Sequence, residues 1–452
     1  MKRILLAVPL FFILSSLAQN EGTSDDLSLV EYDQVGHALT QGDETKLPAC
    51  RDRVCREDLR HLIKASALRI QWNLSDSLNE AYRCAALSQG HHDLTYYTCA
   101  RLVSVDAESL FGFFGEWSTI GLLFDATKRV VATHMWGYTG SLSSTPAAKK
   151  ASQLEGLMLV KEALTYNSFV TSIKLFGDGI VNRSYVFDEQ RLSDIKLPLA
   201  YPSAHVKING VDLIMGIDTG SQTTSLHASA VKKARLNVLS GVESSWADGA
   251  GVSRVGKMGI ADSLEFANIK VKNKYIHIVD DVTPLPEDGI IGLDVLDKLH
   301  SFKFTKDAFL IEPPAPSNCN YDFTVSSDLY STVNGIIVKG STINDAPVIA
   351  VLDTGNAIDA VAATWKLVRR SNLTVSNRHL SYWGGAGGAP SAMNSGDING
   401  TLSYLGKGYT GVIRIGVNYP LADIDLNIGM PFFYGSDLYI NFDTKKMCLI
   451  RK

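Results

Sequence analysis

Apolar positions fall into two textures along the chain. Between about residues 50 and 170 they recur at helical spacing. Leu59, Leu62, Ile63, Ala67 and Ile70 mark one amphipathic stretch. Residues 75–87 predict a second helix, with Leu78, Ala81 and Ala85 on one face and Ser75 or Asp76 as its N-cap. Residues 94–103, 107–126 and 147–164 extend the same pattern, so this region reads as an array of helical hairpins. From about residue 195 short strand-like runs alternate with Gly and Asn turns. Val206-Lys207-Ile208 meets Asn209-Gly210, a strong hairpin signal, and residues 211–217 supply the returning strand. Val333-Asn334-Gly335-Ile336 again reads as a strand turning on Asn-Gly, and Pro313-Pro314-Ala315-Pro316 separates the two β-rich stretches.

The flanking segments complete the layout. Lys2 and Arg3, an apolar run over 4–14 and the small residues of Ser16-Leu17-Ala18 read as a signal peptide cleaved after Ala18. Residues 19–48 are polar and acidic and read as a flexible leader. The expected order is signal peptide (1–18), leader (19–48), α-helical domain (49–190), first β lobe (195–312), linker (313–320) and second β lobe (321–452). A chain of 452 residues is too long for one ordinary core, which agrees with that division.

Composition narrows the function. A net charge of −4 argues against a nucleic-acid binder, which normally carries a basic stripe. The six cysteines are an even count in a chain expected to be exported to the periplasm or the extracellular space, which favours disulfides. Neighbourhood alone pairs Cys50 with Cys55, Cys84 with Cys99, and Cys319 with Cys448, among about fifteen connectivities. No His stands at ligand spacing beside a Cys pair, so no metal is expected, nor any other cofactor. His205, His227, His277 and His300 are scattered, without a nucleophile motif.

An internal repeat carries the chemistry. Met215-Gly216-Ile217-Asp218-Thr219-Gly220-Ser221 resembles Ala350-Val351-Leu352-Asp353-Thr354-Gly355-Asn356, at an offset of 353 − 218 = 135. Trp246-Ala247-Asp248-Gly249-Ala250-Gly251 resembles Trp383-Gly384-Gly385-Ala386-Gly387-Gly388, at 383 − 246 = 137. Gly289-Ile290-Ile291-Gly292 then matches Leu426-Asn427-Ile428-Gly429, and Phe302-Lys303-Phe304 matches Ile440-Asn441-Phe442. The matches keep their order with almost constant spacing, which a chance pair of turns would not do. Each apolar strand delivers a carboxylate, Thr can tie one loop to its counterpart, and Gly lets the backbone pass close to another segment. Two such loops face to face place two like charges so near that they share one proton. One group then serves as base on a water while the other donates to a carbonyl oxygen.

The repeated pattern resembles the retropepsin-like aspartic peptidases. The resemblance covers roughly residues 197–452 and implies two fused retropepsin-type barrels in one chain, behind an α-helical N-terminal domain. It implies Asp218 and Asp353 as the catalytic pair, in loops formed by Thr219, Gly220 and Ser221 and by Thr354, Gly355 and Asn356. It implies flaps around Trp246, Gly249 and Gly251 and around Trp383, Gly385 and Gly387, closing on a peptide or protein substrate. The site would form within a monomer as an intramolecular pseudo-dimer. In that family a hydroxyl after Asp-Thr-Gly helps hold the outer carboxylate oxygen. Ser221 fits, whereas Asn356 departs, and polar Asn427 stands where the first lobe has Ile290. Asp294 and Asp297 read as helix-start and surface residues. An inactive peptide-binding module and a self-processing zymogen are the rival readings. The helical domain is a candidate surface for a protein partner.

Overall fold

The computed structural model describes residues 27–49, 55–91, 93–114, 122, 126, 195–196, 202–247, 253–267, 269–280, 287–305, 308–327, 335–383, 391–417 and 424–451. The signal-peptide segment, Cys50, the expected helix at 147–164 and the flap-tip residues Asp248, Gly249, Gly251, Gly385 and Gly387 lie outside the described residues.

Helical structure begins earlier than the pattern predicts. α1 (Leu29–Gln41) lies inside the stretch expected to be a flexible leader. The Glu31 amide donates to Ser28 Oγ (3.3 Å) while the Ser28 amide donates to the Glu31 carboxylate (2.9 Å), a reciprocal cap on the first turn. Gly42 ends the helix in the left-handed region (φ 61°), against Thr324, whose side chain leaves no room for a Cβ. Leu27, Tyr32, Val35 and Leu39 are buried in the core shared with the following helices. These are α2 (Glu57–Ile70), α3 (Leu74–Ser88) and α4 (Leu94–Phe114).

Two local expectations need correction. α3 starts after Asn73, not after Ser75 or Asp76, and the Asn73 side-chain amide donates to Asp76 (2.8 Å). The separate helices expected over 94–103 and 107–126 share one unbroken helix as far as Phe114. Ser104 and Asp106, which lie between the two expected stretches, are buried inside the bundle. There Asp106 pairs with Arg69 and accepts from Ser77 Oγ (2.6 Å), and Arg69 Nη2 donates to Ser109 Oγ (3.2 Å). A Cys84–Cys99 disulfide joins α3 to α4, with 5.7 Å between Cα atoms. Cys55 is also disulfide-bonded.

The first lobe comprises β1 (Ile195–Lys196), β2 (Ser203–Ile208), β3 (Val211–Ile217), β4 (Ser225–His227), α5 (Ala228–Lys233), β5 (Asn237–Ala247), β6 (Ser253–Phe266), β7 (Ile269–Val279), β8 (Gly289–Ile291), α6 (Leu293–Leu296), β9 (Ser301–Phe304) and β10 (Ala308–Ile311). The second comprises β11 (Tyr321–Ser326), β12 (Gly335–Val338), β13 (Thr342–Ile343), β14 (Ala346–Pro347), β15 (Ala350–Asp353), β16 (Val361–Thr364), α7 (Trp365–Arg370), β17 (Ser376–Trp383), β18 (Ser391–Tyr404), β19 (Lys407–Val417), β20 (Leu426–Gly429), β21 (Ser436–Asn441) and β22 (Lys446–Arg451).

The two lobes repeat one pairing scheme. In the first the order is β2-β3-β8-β4-β7-β6-β5, and β2 also pairs with β6, curling the sheet toward a barrel. In the second β12-β15-β20-β16-β19-β18 follow in the corresponding places, with β17 on β18. Even the parallel pairs recur: β3 with β8 and β15 with β20, β4 with β7 and β16 with β19. The Asn209-Gly210 turn joins β2 to β3 with both residues at positive φ (51° and 76°). In the second lobe the two-residue turn with both φ positive falls at Asn344-Asp345, between β13 and β14. Gly335 instead opens β12, and Asn334 lies outside the described residues.

The last repeated motif joins the lobes. β9 and β21 pair antiparallel, with Phe302 opposite Ile440. They form a sheet that continues through β22 to β11, so both lobes share one hydrophobic core. Cys319–Cys448 ties the approach to β11 onto β22.

The helical region is fastened to both lobes. Ser326 Oγ donates to the Thr40 carbonyl (2.8 Å), and Arg69 Nε donates to Ser327 Oγ (3.1 Å). On the first lobe the fully buried Lys274 ammonium donates to Asp294 Oδ2 (2.5 Å) and to the Gly112 carbonyl of α4 (3.3 Å). Asp294 does start α6 as expected, but it is 1 % exposed and no surface residue. Asp297 is likewise largely withdrawn from solvent and pairs with Lys298 (2.8 Å). Removing one partner of a buried pair leaves an uncompensated charge. Lys274→Met is therefore expected to destabilise the protein by about 3–5 kcal/mol in urea denaturation, and Lys274→Met/Asp294→Asn to recover part of that loss.

Candidate active site

Each Asp-Thr-Gly begins where a β strand emerges from the middle of its sheet. Asp218 follows β3 and its amide donates to the Ile291 carbonyl on β8 (3.0 Å). Asp353 ends β15 in parallel register with Gly429 of β20. The glycines after the hydrophobic pairs let these strands lie tightly under the loops. A Cβ on Gly292 would stand 2.6 Å from the Thr223 carbonyl carbon, and one on Gly429 would stand 2.6 Å from the Asn356 carbonyl oxygen. Leu293 N–H then donates to the Ser221 carbonyl (2.9 Å) and Met430 N–H to the Asn356 carbonyl (2.9 Å), fixing both loops from below.

The two loops interlock through their threonines. Thr219 N–H donates to Thr354 Oγ1 (2.9 Å), and Thr354 N–H donates to Thr219 Oγ1 (3.0 Å). Each hydroxyl passes its own proton to the opposite strand: Thr219 Oγ1 to the Leu352 carbonyl (3.1 Å) and Thr354 Oγ1 to the Ile217 carbonyl (2.9 Å). Both threonines are fully buried, so each of these groups needs its partner.

The clasp sets the acids against each other. A Cβ on Gly220 would stand 2.5 Å from Asp353 Cγ, and one on Gly355 would overlap the Asp218 carboxyl in the same way. Both aspartates remain partly exposed at the cleft floor. Asp218 Oδ1 accepts from the Gly220 amide (2.7 Å). Removal from water, followed by the Asp353 charge, pushes the Asp218 carboxyl well above its ordinary range.

The residues after the glycines differ in what they do. Ser221 Oγ donates to the Thr223 carbonyl (2.9 Å), which corrects the expectation that it holds the Asp218 carboxylate. The Asn356 amide N–H reaches Asp353 Oδ1 (3.1 Å), while its side chain donates to Asn427 Oδ1 (2.9 Å). Asn427 Nδ2 in turn donates to Asp353 Oδ2 (2.6 Å). Behind the first loop Asp294 Oδ1 accepts from the Thr224 amide (2.9 Å) and hydroxyl (2.8 Å). Burial of the neighbouring His277 lowers its pKa to about 4, keeping the ring neutral above that pH.

The flap stems rise as hairpins β5–β6 and β17–β18, in which Trp246 pairs with Arg254 and Trp383 with Ser391. The stems touch each other, Arg254 Nη2 reaching Ser391 Oγ at 3.3 Å. On β17 the side chains of Leu380 and Tyr382 are 60 % and 73 % exposed, leaving apolar surface on the second flap. Among the described residues no cluster of His, Cys, Asp and Glu could hold a metal ion.

Paired Asp-Thr-Gly loops on two like half-barrels, behind a helical region, define a bilobal fold of the aspartic-protease type. Within the first lobe, residues 204–295 match the family described as "Aspartyl protease". No curated protein matches the chain. Among solved structures it is similar to a retropepsin-like aspartic protease from Rickettsia conorii, at 14 % identity and TM-score 0.21 over 28 % of this chain and 92 % of that one. It is also similar to Basic 7S globulin from soybean, at 9 % identity and TM-score 0.32 over 57 % and 94 % of the two chains. A third is edgp, at 10 % identity and TM-score 0.34 over 59 % and 96 % of the two chains.

Two outcomes follow from this geometry. Thr219→Val leaves the Thr354 amide and the Leu352 carbonyl without their partner, and about 1–3 kcal/mol of stability should be lost in thermal or urea denaturation. The second concerns pH. An acid whose pKa rises on folding adds stability below its unfolded pKa and loses it as pH climbs through the native value. Asp218→Asn should therefore melt higher than the parent at pH 7, with the gap closing as pH falls toward the ordinary aspartate value of 3.8. A variant that melts lower at neutral pH would contradict this assignment.

Proposed function

We propose that this protein is an aspartic endopeptidase that hydrolyses peptide bonds with a water held between Asp218 and Asp353. The observation that carries the reading is the dyad itself: two carboxyls pressed together by a buried clasp, one with its proton affinity raised. One aspartate takes a proton from the water as its oxygen bonds to the carbonyl carbon. The other gives its proton to the carbonyl oxygen, yielding a tetrahedral diol. Collapse of that diol breaks the C–N bond, with a proton passing to the leaving amine.

An extended chain can add its backbone to the edges of the two hairpins, a β-augmentation mode. The exposed Leu380 and Tyr382 favour apolar side chains there. Both half-sites come from one chain, so the monomer is the proposed active unit. Disulfides support export, and no helix among the described residues is long and apolar enough to cross a membrane.

The burial of α1, α2 and α4 contacts against the lobes favours a permanent helical support over a removable pro-segment. An unfolded protein substrate incubated from acidic to neutral pH should be cleaved by the parent. Asp218→Asn and Asp353→Asn should each lower the rate by on the order of 10²–10⁴-fold. Equal cleavage by parent and variants, or none by any form at any pH, would exclude this function and leave a peptide-binding module.

A further inference from the structure

The geometry points to Asn427 as a positioning residue that breaks the symmetry of the dyad, holding Asp353 as the carboxylate and leaving the shared proton on Asp218. This deepens the peptidase reading and rests on it for the chemical roles: Asp353 becomes the base toward water and Asp218 the acid toward the carbonyl oxygen.

The argument is one of hydrogen-bond direction. Backbone N–H groups can only donate. The amides of Ile358 (3.2 Å) and Asp359 (3.0 Å) both point at one side-chain atom of Asn356, which must therefore be its oxygen. The Asn356 nitrogen then faces Asn427 (2.9 Å), and the atom that receives it must be the Asn427 oxygen. That leaves the Asn427 nitrogen directed at Asp353 Oδ2 (2.6 Å). An amide flip, which distances alone do not exclude in an isolated Asn, is ruled out here by the two fixed backbone donors. Asp353 Oδ1 meanwhile accepts from the Asn356 amide (3.1 Å). Both oxygens of Asp353 are thus met by groups that can only donate, which favours the ionised form.

The first lobe lacks this chain. Strand register makes Ile290 the counterpart of Asn427: Gly216 pairs with Ile290 on β8 as Val351 pairs with Asn427 on β20. Asp218 accepts from the backbone amides of Gly220 and Gly355, but Ile290 adds no side-chain donor comparable to the Asn427 amide, and Ser221, the counterpart of Asn356, turns its hydroxyl to Thr223. The raised proton affinity of Asp218 agrees with the same division. Other charged groups around the chain are Asp359, whose carboxyl lies 3.5 Å from Arg414, with Asp397 near it. Behind the first loop they are Asp294, Lys274 and His277.

The pair titrates as a unit, so the test needs a site-resolved probe. Carboxyl-¹³C-aspartate protein is titrated by NMR, with the two resonances assigned through Asp218→Asn and Asp353→Asn. Asp353 should ionise at lower pH than Asp218. Asn427→Leu keeps the side-chain shape but removes the donor, and should raise the Asp353 midpoint by roughly one pH unit. Asn356→Ser frees the Asn427 amide to turn and should shift the midpoint the same way by less; it serves as the test if Asn427→Leu does not fold. In cleavage assays the acid limb of kcat/KM should move up by the same interval, a loss of about tenfold below it, with KM little changed. Ionisation of Asp218 first in the parent, or unmoved midpoints in the variants, would overturn the assignment. A shifted Asp353 midpoint in a protein that cleaves nothing would uphold the assignment and remove the peptidase reading.

Discussion

The reciprocal clasp between Thr219 and Thr354 is the constraint on which the rest of the molecule depends. Two carboxyls in contact repel once both are ionised, and nothing in their own chemistry keeps them together. Four hydrogen bonds across the lobe boundary hold them there, each made between groups already removed from water. In such a place an unmade bond costs more than a made one gains, so the clasp closes fully or the loops separate. The glycines complete the constraint, because Gly220 and Gly355 give each opposing carboxyl the volume that a side chain would take.

A clasp at one point cannot fix two lobes unless each is stiff and the lobes are joined elsewhere. β9 and β21 supply the second junction through a shared sheet. The Cys319–Cys448 link closes a separation of 129 residues, which takes a large share of disorder from the unfolded second lobe. The helical region supplies a third support. The Gly112 carbonyl meets Lys274, Lys274 meets Asp294, and Asp294 meets Thr224 at the end of the first catalytic loop. The N-terminal helices are therefore mechanically continuous with the ground under Asp218.

The features legible in the sequence were those that repeat. Asp-Thr-Gly, the glycines at 292 and 429 and the strands at 302–304 and 440–442 carried the two-lobe architecture, because duplicated backbone geometry demands duplicated residue types. What stayed hidden was set by tertiary surroundings. α1 was obscured because its buried residues are spaced among charged and polar ones in a stretch that reads as acidic leader. Lys274 was obscured because Asn273 takes a positive φ of 55° and interrupts the alternation of β7, so that Asn273, Lys274, Tyr275 and Ile276 are all buried in succession. Asn356 and Asn427 were visible as departures from the first lobe, yet their meaning lay in the contact between them across 71 residues of sequence.

That contact shows what fusion of two half-sites permits. In a dimer of identical lobes any residue that favours the charge on one aspartate favours it equally on the other, so only a proton or a ligand can make them unequal. Here each lobe mutates separately. Placing an amide at 427 while retaining Ile at 290 writes the inequality into the chain. The change needs a companion, since an amide free to turn could offer its oxygen to Asp353 and reverse the effect. Asn356 supplies it: its oxygen is captured by two backbone amides of its own loop, which fixes every donor that follows. The lobe that departs more from the repeated pattern is thus the one whose departures act together, and the cleaner first lobe serves as the unmodified reference against which they operate.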